Sequence, residues 1–153
     1  QRIGATWGQF VFAEHSFFHF LTTARRFADA GRWEKPRLRR DLKKKLKLMK
    51  KWASFCSENF EHKQLLMEAE LDRIGGKGSE ALRLYKEAET SANEAGFPLN
   101  ATLSCELAGR FELERGRNDE AATWLRKAND GYKKWKAHAK VKAMDEEFKT
   151  LQS

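Results

Sequence analysis

The feature that most constrains the fold of this chain is an internal repeat with a period of 40 residues. Shifting the sequence by this distance aligns Gly76 with Gly116 and brings one row of apolar residues onto a second row. A helix pair cannot bury its apolar face alone, and stacking against a similar pair solves that problem. The repeat therefore predicts helix pairs joined by short turns that contain glycine. The two rows are Ala81, Leu84, Tyr85, Ala88, Ala92 and Ala95, and Ala121, Trp124, Leu125, Ala128, Tyr132 and Trp135.

Helical apolar spacing extends over nearly the whole chain, interrupted at regular intervals by helix-breaking residues. The 153 residues include only 2 prolines, and no long segment alternates with a period of two, so the predicted class is all-α. We expect Pro36 and Pro98 in first helical turns, Gly96 and Gly116 at left-handed helix ends, and Asp119 as a helix N-cap. The seven predicted helices cover residues 6–30, 37–56, 59–74, 79–95, 99–115, 119–135 and 137–151.

The organisation predicted from these helices is a single helical-repeat domain over residues 1–153. Residues 1–56 form aromatic and basic N-terminal helices, and residues 57–153 form two helix pairs and a C-terminal helix. The chain begins at Gln1, so we expect a piece of a larger protein. Two cysteines make no disulfide framework, and no apolar run is long enough to span a bilayer, so a cytoplasmic location is expected.

The apolar rows resemble the tetratricopeptide pattern, in which alanine, an aromatic residue and alanine recur at i, i+4 and i+7 of the second helix. Ala81, Tyr85 and Ala88 have this spacing. The period is longer than the tetratricopeptide repeat of about 34 residues. The resemblance therefore implies a tetratricopeptide-like array of antiparallel helix pairs.

A second resemblance covers about residues 50–145. These residues resemble the helical region that follows the AAA/STAND-type ATPase module in large signalling proteins, which begin with a protein-kinase-like domain and end with a GAF domain and a histidine kinase. The sequence departs from that pattern at Lys136, where glycine is expected, and at Ser57, where proline is expected. The resemblance implies a non-catalytic coupling or protein-interaction role. The segments that carry it are Glu58–Lys63, Leu65–Glu70, Glu80–Tyr85, Glu106–Phe111, Tyr132–Ala137 and Ala139–Val141.

Three residue groups could suggest chemistry, and each has a simpler interpretation. His15 and His19 have a spacing that can bind zinc, but no third ligand is evident nearby. Gly75–Ser79 resembles a fragment of a phosphate-binding loop, but it lacks the required glycine spacing and is predicted to be an inter-helix turn. Cys56 and Cys105 have no histidine fixed against them by any sequence feature. We therefore nominate no catalytic, metal-binding or cofactor-binding residue, and expect no enzyme activity from this region.

The strongest surface feature is the basic second helix. Residues 1–53 carry 14 Lys and Arg against 4 Asp and Glu, whereas the remaining residues are slightly acidic. An apolar stripe from Leu38 to Ala53 should face the core and leave the cations outside. They could form a solvated face, dock an acidic protein, or contact nucleic acid or an anionic membrane. The predicted interaction residues on this helix are Arg37, Arg39, Arg40, Lys43, Lys44, Lys47, Lys50 and Lys51.

The first helix is unusually aromatic, with seven aromatic residues between Trp7 and Phe27 that fall on more than one face. A helix that is apolar all round is normally buried between layers. We expect one face to pack on the repeat array and Phe10, Phe17 and Phe18 to contribute to an interaction surface. That surface would meet a segment outside this chain or a second copy of the chain. The alternative is that the second and third helices cover the aromatic residues completely.

The function expected from these features is a non-catalytic helical-repeat scaffold that binds a neighbouring domain or another protein within a multidomain signalling ATPase or kinase. The alternative is a basic helical nucleic-acid-binding module that uses the segment Arg37–Lys51. Nucleic-acid binding is the weaker interpretation, because Trp52 is the only aromatic residue nearby and no Asn or Gln is interleaved.

Overall fold

Every regular element in the described part of the chain is an α-helix. The computed structural model describes the backbone of residues 3–152, and the side chains of residues 10–146. The predicted all-α class is confirmed, and seven helices lie in this part of the chain. They are α1 (Ile3–Arg26), α2 (Lys35–Phe55), α3 (Ser57–Ile74), α4 (Gly78–Glu94), α5 (Pro98–Glu114), α6 (Asn118–Lys134) and α7 (His138–Gln152).

The helix–turn unit from α3 onwards repeats every 20 residues, half the period seen in the sequence. Helices end at Ile74, Glu94, Glu114 and Lys134, and three-residue turns connect each to the next helix. In every turn the backbone makes the same two hydrogen bonds. In the third turn, for example, Arg117 N donates to Glu112 O at 2.9 Å and Gly116 N donates to Leu113 O at 2.9 Å. This pattern is the Schellman motif, which satisfies carbonyls that the helix end leaves free.

A left-handed residue closes each of these four turns. Gly76, Gly96 and Gly116 have φ angles of 77°, 78° and 72°, which confirms the left-handed ends predicted at Gly96 and Gly116. Lys136 occupies the fourth position with a φ of 53°. The absence of glycine at 136 therefore leaves the turn intact, and a lysine adopts a backbone conformation that L-residues disfavour.

The residue after the left-handed position distinguishes alternate turns. In the first and third turns it is a cation beside an acid: Lys77 lies 3.5 Å from Asp72, and Arg117 lies 3.8 Å from Glu112. In the second and fourth turns the equivalent residues are the apolar Phe97 and Ala137. The 40-residue period of the sequence therefore corresponds to two helices whose turns differ in this position.

The predicted positions of Pro36 and Pro98 at helix starts are confirmed, but the predicted N-cap at Asp119 is wrong. Pro36 and Pro98 lie in the first turns of α2 and α5, as predicted, where a missing N–H costs nothing. Asp119 is not an N-cap, because α6 already begins at Asn118 and its N-cap is Arg117. Asp119 instead lies in the first helical turn, where its charge favours the helix dipole.

The chain forms two compact units, residues 1–81 and 82–153. In the first unit α2 packs against α3, and α1 packs against both. Its largest fully buried side chains include Phe17, Phe20, Leu42, Met49 and Leu66.

In the second unit α6 packs against α5 and α7. Its core includes Cys105, Leu125, Ala128, Tyr132 and Met144.

Two glycines allow α5 and α6 to approach closely. A Cβ atom added to Gly131 would lie 2.1 Å from Thr102 Oγ1, and one added to Gly109 would lie 2.6 Å from Leu125 Cγ. The earlier residue on α5, Thr102, meets the later residue on α6, Gly131, and the later residue on α5, Gly109, meets the earlier Leu125. The helices α5 and α6 are therefore antiparallel. This packing is consistent with the predicted helical repeat.

The left-handed conformation of Lys136 generates a stability prediction. Replacing Lys136 with Gly should raise the free energy of unfolding by about 1 kcal/mol, because glycine adopts positive φ without the Cβ penalty. Urea unfolding followed by circular dichroism measures this change. The matched control is Lys133→Gly, in the last turn of α6, which should lower stability by about 1 kcal/mol. Loss of stability in both variants would contradict a left-handed Lys136.

Candidate functional site

The basic face of α2 is fixed by burial of its apolar stripe. Leu38, Leu42, Met49 and Ala53 are buried, and Leu46 is half-buried. The apolar stripe predicted from the sequence is thus buried, and α2 packs against α1 and α3. Because an amphipathic helix turns its apolar stripe towards the core, the cations on its remaining faces point outward. All eight predicted interaction residues are exposed: Arg37, Arg39, Arg40, Lys43, Lys44, Lys47, Lys50 and Lys51.

Two of the eight cations have partners in the first unit. Lys50 Nζ lies 2.7 Å from Glu68 Oε1 on α3. The Arg39 guanidinium lies 5.6 Å from the centre of the Phe27 ring, a cation–π distance. For the other six, no carboxylate of the described residues lies within ion-pair distance. Most of the basic face is therefore electrostatically uncompensated.

A cavity of about 630 Å³ lies between α1 and α2 at this face. Arg37, Arg40 and Lys44 of α2 line it at positions i, i+3 and i+7, which places them in one row. Two carboxylates in its wall are already engaged: Asp41 lies 2.7 Å from Lys45 Nζ, and Glu34 lies 3.9 Å from Arg26. From α1 the lining residues are His19, Thr22, Thr23 and Arg26.

The contribution of α1 to this cavity could not be found from the sequence. The basic residues of α2 are visible as a run, but the residues of α1 that face them depend on the register between the two helices. The only local signal is the pair Arg25 and Arg26 in the last turn of α1, where cations are favoured by the helix dipole in any protein.

The aromatic residues of α1 divide between core and surface. Phe17 is fully buried, so its predicted place in an interaction surface is wrong, and it belongs to the core of the first unit. Phe10 is half-buried, with its ring centre 6.4 Å from that of Phe60. Phe18 and Phe12 are 49% and 58% exposed, so α2 and α3 do not cover all the aromatic residues. The predicted residue Trp7 lies outside the residues whose side chains are described.

A buried cationic centre connects α1 and α3. Lys63 has no exposed surface, and its Nζ lies 2.8 Å from Glu14 Oε1 and donates a 3.1 Å hydrogen bond to Asn59 O. The same ammonium lies 5.6 Å from the centre of the Phe10 ring. A buried ammonium needs such compensation, so Lys63 is a structural cation, unlike those of α2.

His62 is the neighbour of this ammonium and is itself 1% exposed. Its Nε2 accepts a hydrogen bond from Lys63 Nζ at 3.3 Å. Burial, and then the charge of Lys63, lower the pKa of His62 to about 4. The imidazole is therefore neutral near pH 7, as the acceptor role of Nε2 requires.

A second buried cluster joins three helices of the second unit. Glu106 on α5 accepts a 2.6 Å hydrogen bond from the Tyr132 hydroxyl on α6 and a 3.0 Å hydrogen bond from Lys140 Nζ on α7. Burial alone would raise the pKa of Glu106, but these bonds and the charges of Lys140 and Arg110 hold it below its ordinary value. The carboxylate is thus charged and fully used in holding the helices together.

The residues that could suggest chemistry occupy ordinary structural positions. Among the described residues, no group of three His, Cys, Asp or Glu side chains converges as metal ligands would. The rings of His15 and His19 lie with their centres 6.2 Å apart and are tilted by 38° to each other. Burial, and then the nearby charge of Glu89, raise the pKa of the Cys105 thiol to about 12, the opposite of an activated nucleophile. Cys56 is half-buried and accepts a hydrogen bond from Asn59 at 3.1 Å.

The glycine cluster at residues 75–79 contains the predicted inter-helix turn, at residues 75–77, and the start of α4. Gly75 and Gly76 close α3, and α4 begins at Gly78. The preceding element is a helix, whereas a phosphate-binding loop follows a strand.

No protein-family model matches this sequence, and comparisons with curated proteins and with solved structures find no significant match. Within the described residues, none of the helices combines the length and apolar character needed to cross a bilayer.

The buried His62 predicts a pH-dependent stability. An unfolded chain binds this proton near pH 6.5, whereas the folded protein binds it only near pH 4. The free energy of unfolding should therefore fall as the pH decreases through this window, by at most about 3 kcal/mol from this residue. Urea unfolding at a series of pH values measures the slope.

The control for this prediction is His62→Gln, which cannot titrate. Its stability curve should be flatter than that of the unmodified chain between pH 6.5 and about 4, whatever its absolute stability. Parallel curves for the two proteins would show that His62 does not carry the effect.

Proposed function

We propose that the chain is a non-catalytic helical-repeat module that binds an acidic segment of another protein, or of a neighbouring domain, through the basic face of α2. The observation that carries this proposal is the row of exposed cations that lack carboxylate partners among the described residues. Unlike Lys63, these cations are solvated in the free protein, and an acidic partner would compensate them.

The distribution of charged residues along α2 is unfavourable for the helix dipole, which supports a role for these residues in binding and not in folding. Acidic residues stand in the first turns of α3, α4 and α6, where the helix dipole favours them, whereas the first turns of α1, α5 and α7 have none. The first turn of α2 has no acid and contains Lys35 and Arg37, and its last turn has no base. This arrangement works against the helix, and local rules are most often broken at functional sites.

The proposed setting is a larger cytoplasmic signalling protein in which an ATPase module and an output kinase flank this helical region. Support for this setting comes from the sequence resemblance over about residues 50–145. The size of the full-length polypeptide on an immunoblot tests it. Within that setting the module would hold one domain against another by surface contacts, and self-association through exposed Phe12 and Phe18 would be a second contact of the same kind.

The proposal predicts that the whole chain binds a short peptide rich in Asp and Glu, and not the matching peptide of Asn and Gln. Isothermal titration calorimetry at physiological salt measures both affinities. The triple variant Arg40→Gln, Lys44→Gln and Lys47→Gln should bind the acidic peptide about tenfold more weakly or worse, because each lost charge pair contributes up to about 1 kcal/mol.

The matched control removes three exposed cations from α6 instead, by Arg126→Gln, Lys133→Gln and Lys134→Gln, and changes the net charge equally. This control should retain peptide binding. Equal weakening by both triple variants would show a general charge effect and contradict the proposal. A nucleic acid oligomer that binds more tightly than the acidic peptide, with a steep salt dependence, would favour the alternative of a nucleic-acid-binding module.

A further inference from the structure

The cavity between α1 and α2 is a concave part of the basic face in the first unit. Its volume of about 630 Å³ is in the range of ligand sites. Arg37, Arg40 and Lys44 line it, and none of the three has a carboxylate partner among the described residues. Two guanidinium groups and one ammonium group therefore line a single cavity without a carboxylate in ion-pair contact with any of them.

The carboxylates in the wall do not compensate these three cations. Asp41 accepts hydrogen bonds from Lys45 Nζ at 2.7 and 2.8 Å. Glu34 lies near Arg26. Of the three cations, Arg37 lies in the first turn of α2, where the helix dipole adds a partial positive charge, and Arg40 and Lys44 lie in the next two turns. An anion in the cavity would relieve both the mutual repulsion and the unfavourable dipole interaction.

The donor set favours a phosphate group over a carboxylate. A phosphoryl group carries nearly two negative charges and three acceptor oxygens, and guanidinium groups bind it through paired hydrogen bonds. A single carboxylate would leave two of the three cations uncompensated, whereas a phosphoryl group would leave about one. We propose that the cavity binds a phosphorylated side chain of a protein segment, and this inference rests on the proposed function because it specifies which acidic partner α2 recognises.

A protein segment fits this site better than a nucleic acid or a membrane. The cavity is concave and has no Phe, Tyr or Trp in its lining on which a base could stack. A membrane-bound amphipathic helix needs its apolar face free, but Leu38, Leu42, Met49 and Ala53 of α2 are buried in the protein. A phosphorylated side chain can enter the cavity while its acidic flanking residues contact Lys47, which lies outside the cavity lining.

The experiment compares three probes on the whole chain by isothermal titration calorimetry: an Asp- and Glu-rich peptide with one phosphoserine, the same peptide with serine, and inorganic phosphate. The phosphoserine peptide should bind at least about tenfold more tightly than the serine peptide. Inorganic phosphate should bind much more weakly than the phosphoserine peptide.

Two double variants separate the cavity from the rest of the face. Arg40→Ala with Lys44→Ala removes two cations that line the cavity, whereas Lys43→Ala with Lys51→Ala removes two exposed cations that do not. The Arg40→Ala, Lys44→Ala variant should bind the phosphoserine and serine peptides with equal affinity. The Lys43→Ala, Lys51→Ala variant should still bind the phosphoserine peptide more tightly than the serine peptide.

The outcomes distinguish this inference from the proposed function. Binding of the serine peptide with no gain from phosphorylation would overturn the phosphate site and leave the acidic-segment function in place. Failure to bind either peptide would overturn both. The cavity would also be overturned as a phosphoprotein site if both double variants lost the preference for the phosphoserine peptide equally. Tighter binding of an oligonucleotide or an anionic vesicle than of the phosphoserine peptide would overturn it as well. Inorganic phosphate that binds as tightly as the phosphoserine peptide would show a site for the free anion instead.

Discussion

Burial of the apolar stripe of α2 determines what the first unit presents to its surroundings. Leu42 and Met49 are fully buried, which fixes the rotation of the helix and forces its cations outward. Burial of apolar side chains of this size favours folding by roughly 2 kcal/mol each. That gain exceeds the repulsion among solvated cations, because exposed charges interact weakly in water. The core therefore tolerates a charge arrangement that the helix alone would disfavour.

Most of the fold could be predicted from the sequence because its signals are local. Prolines in first turns, glycines at left-handed ends and apolar spacing gave the seven helices of the described region, and in the second unit the repeat indicated the antiparallel α5–α6 pair. The 20-residue period was less visible, because Lys136 replaces the glycine of the fourth turn and alternate turns differ at the next position. The interpretation of Gly75–Ser79 as an inter-helix turn also followed from local spacing.

The site was only partly predictable, because its remaining features depend on contacts between helices. The run of cations on α2 is evident in the sequence, but the cavity needs the register of α1 against α2. The same limit explains the wrong surface assignment of Phe17, since aromatic content does not reveal which face is covered. Lys63 is indistinguishable from a surface lysine in sequence, and only its contacts with Glu14 and Phe10 show why it is buried.

We infer that most of the exposed cations of α2 are uncompensated in the free protein. The melting temperature measured by circular dichroism between about 20 mM and about 500 mM NaCl tests it, because salt screens repulsion between exposed charges. We expect the melting temperature to rise with salt, and the rise to be smaller in the Arg40→Gln, Lys44→Gln and Lys47→Gln triple variant. A melting temperature that is unchanged or falls with salt, or an equal rise in the variant, would contradict it.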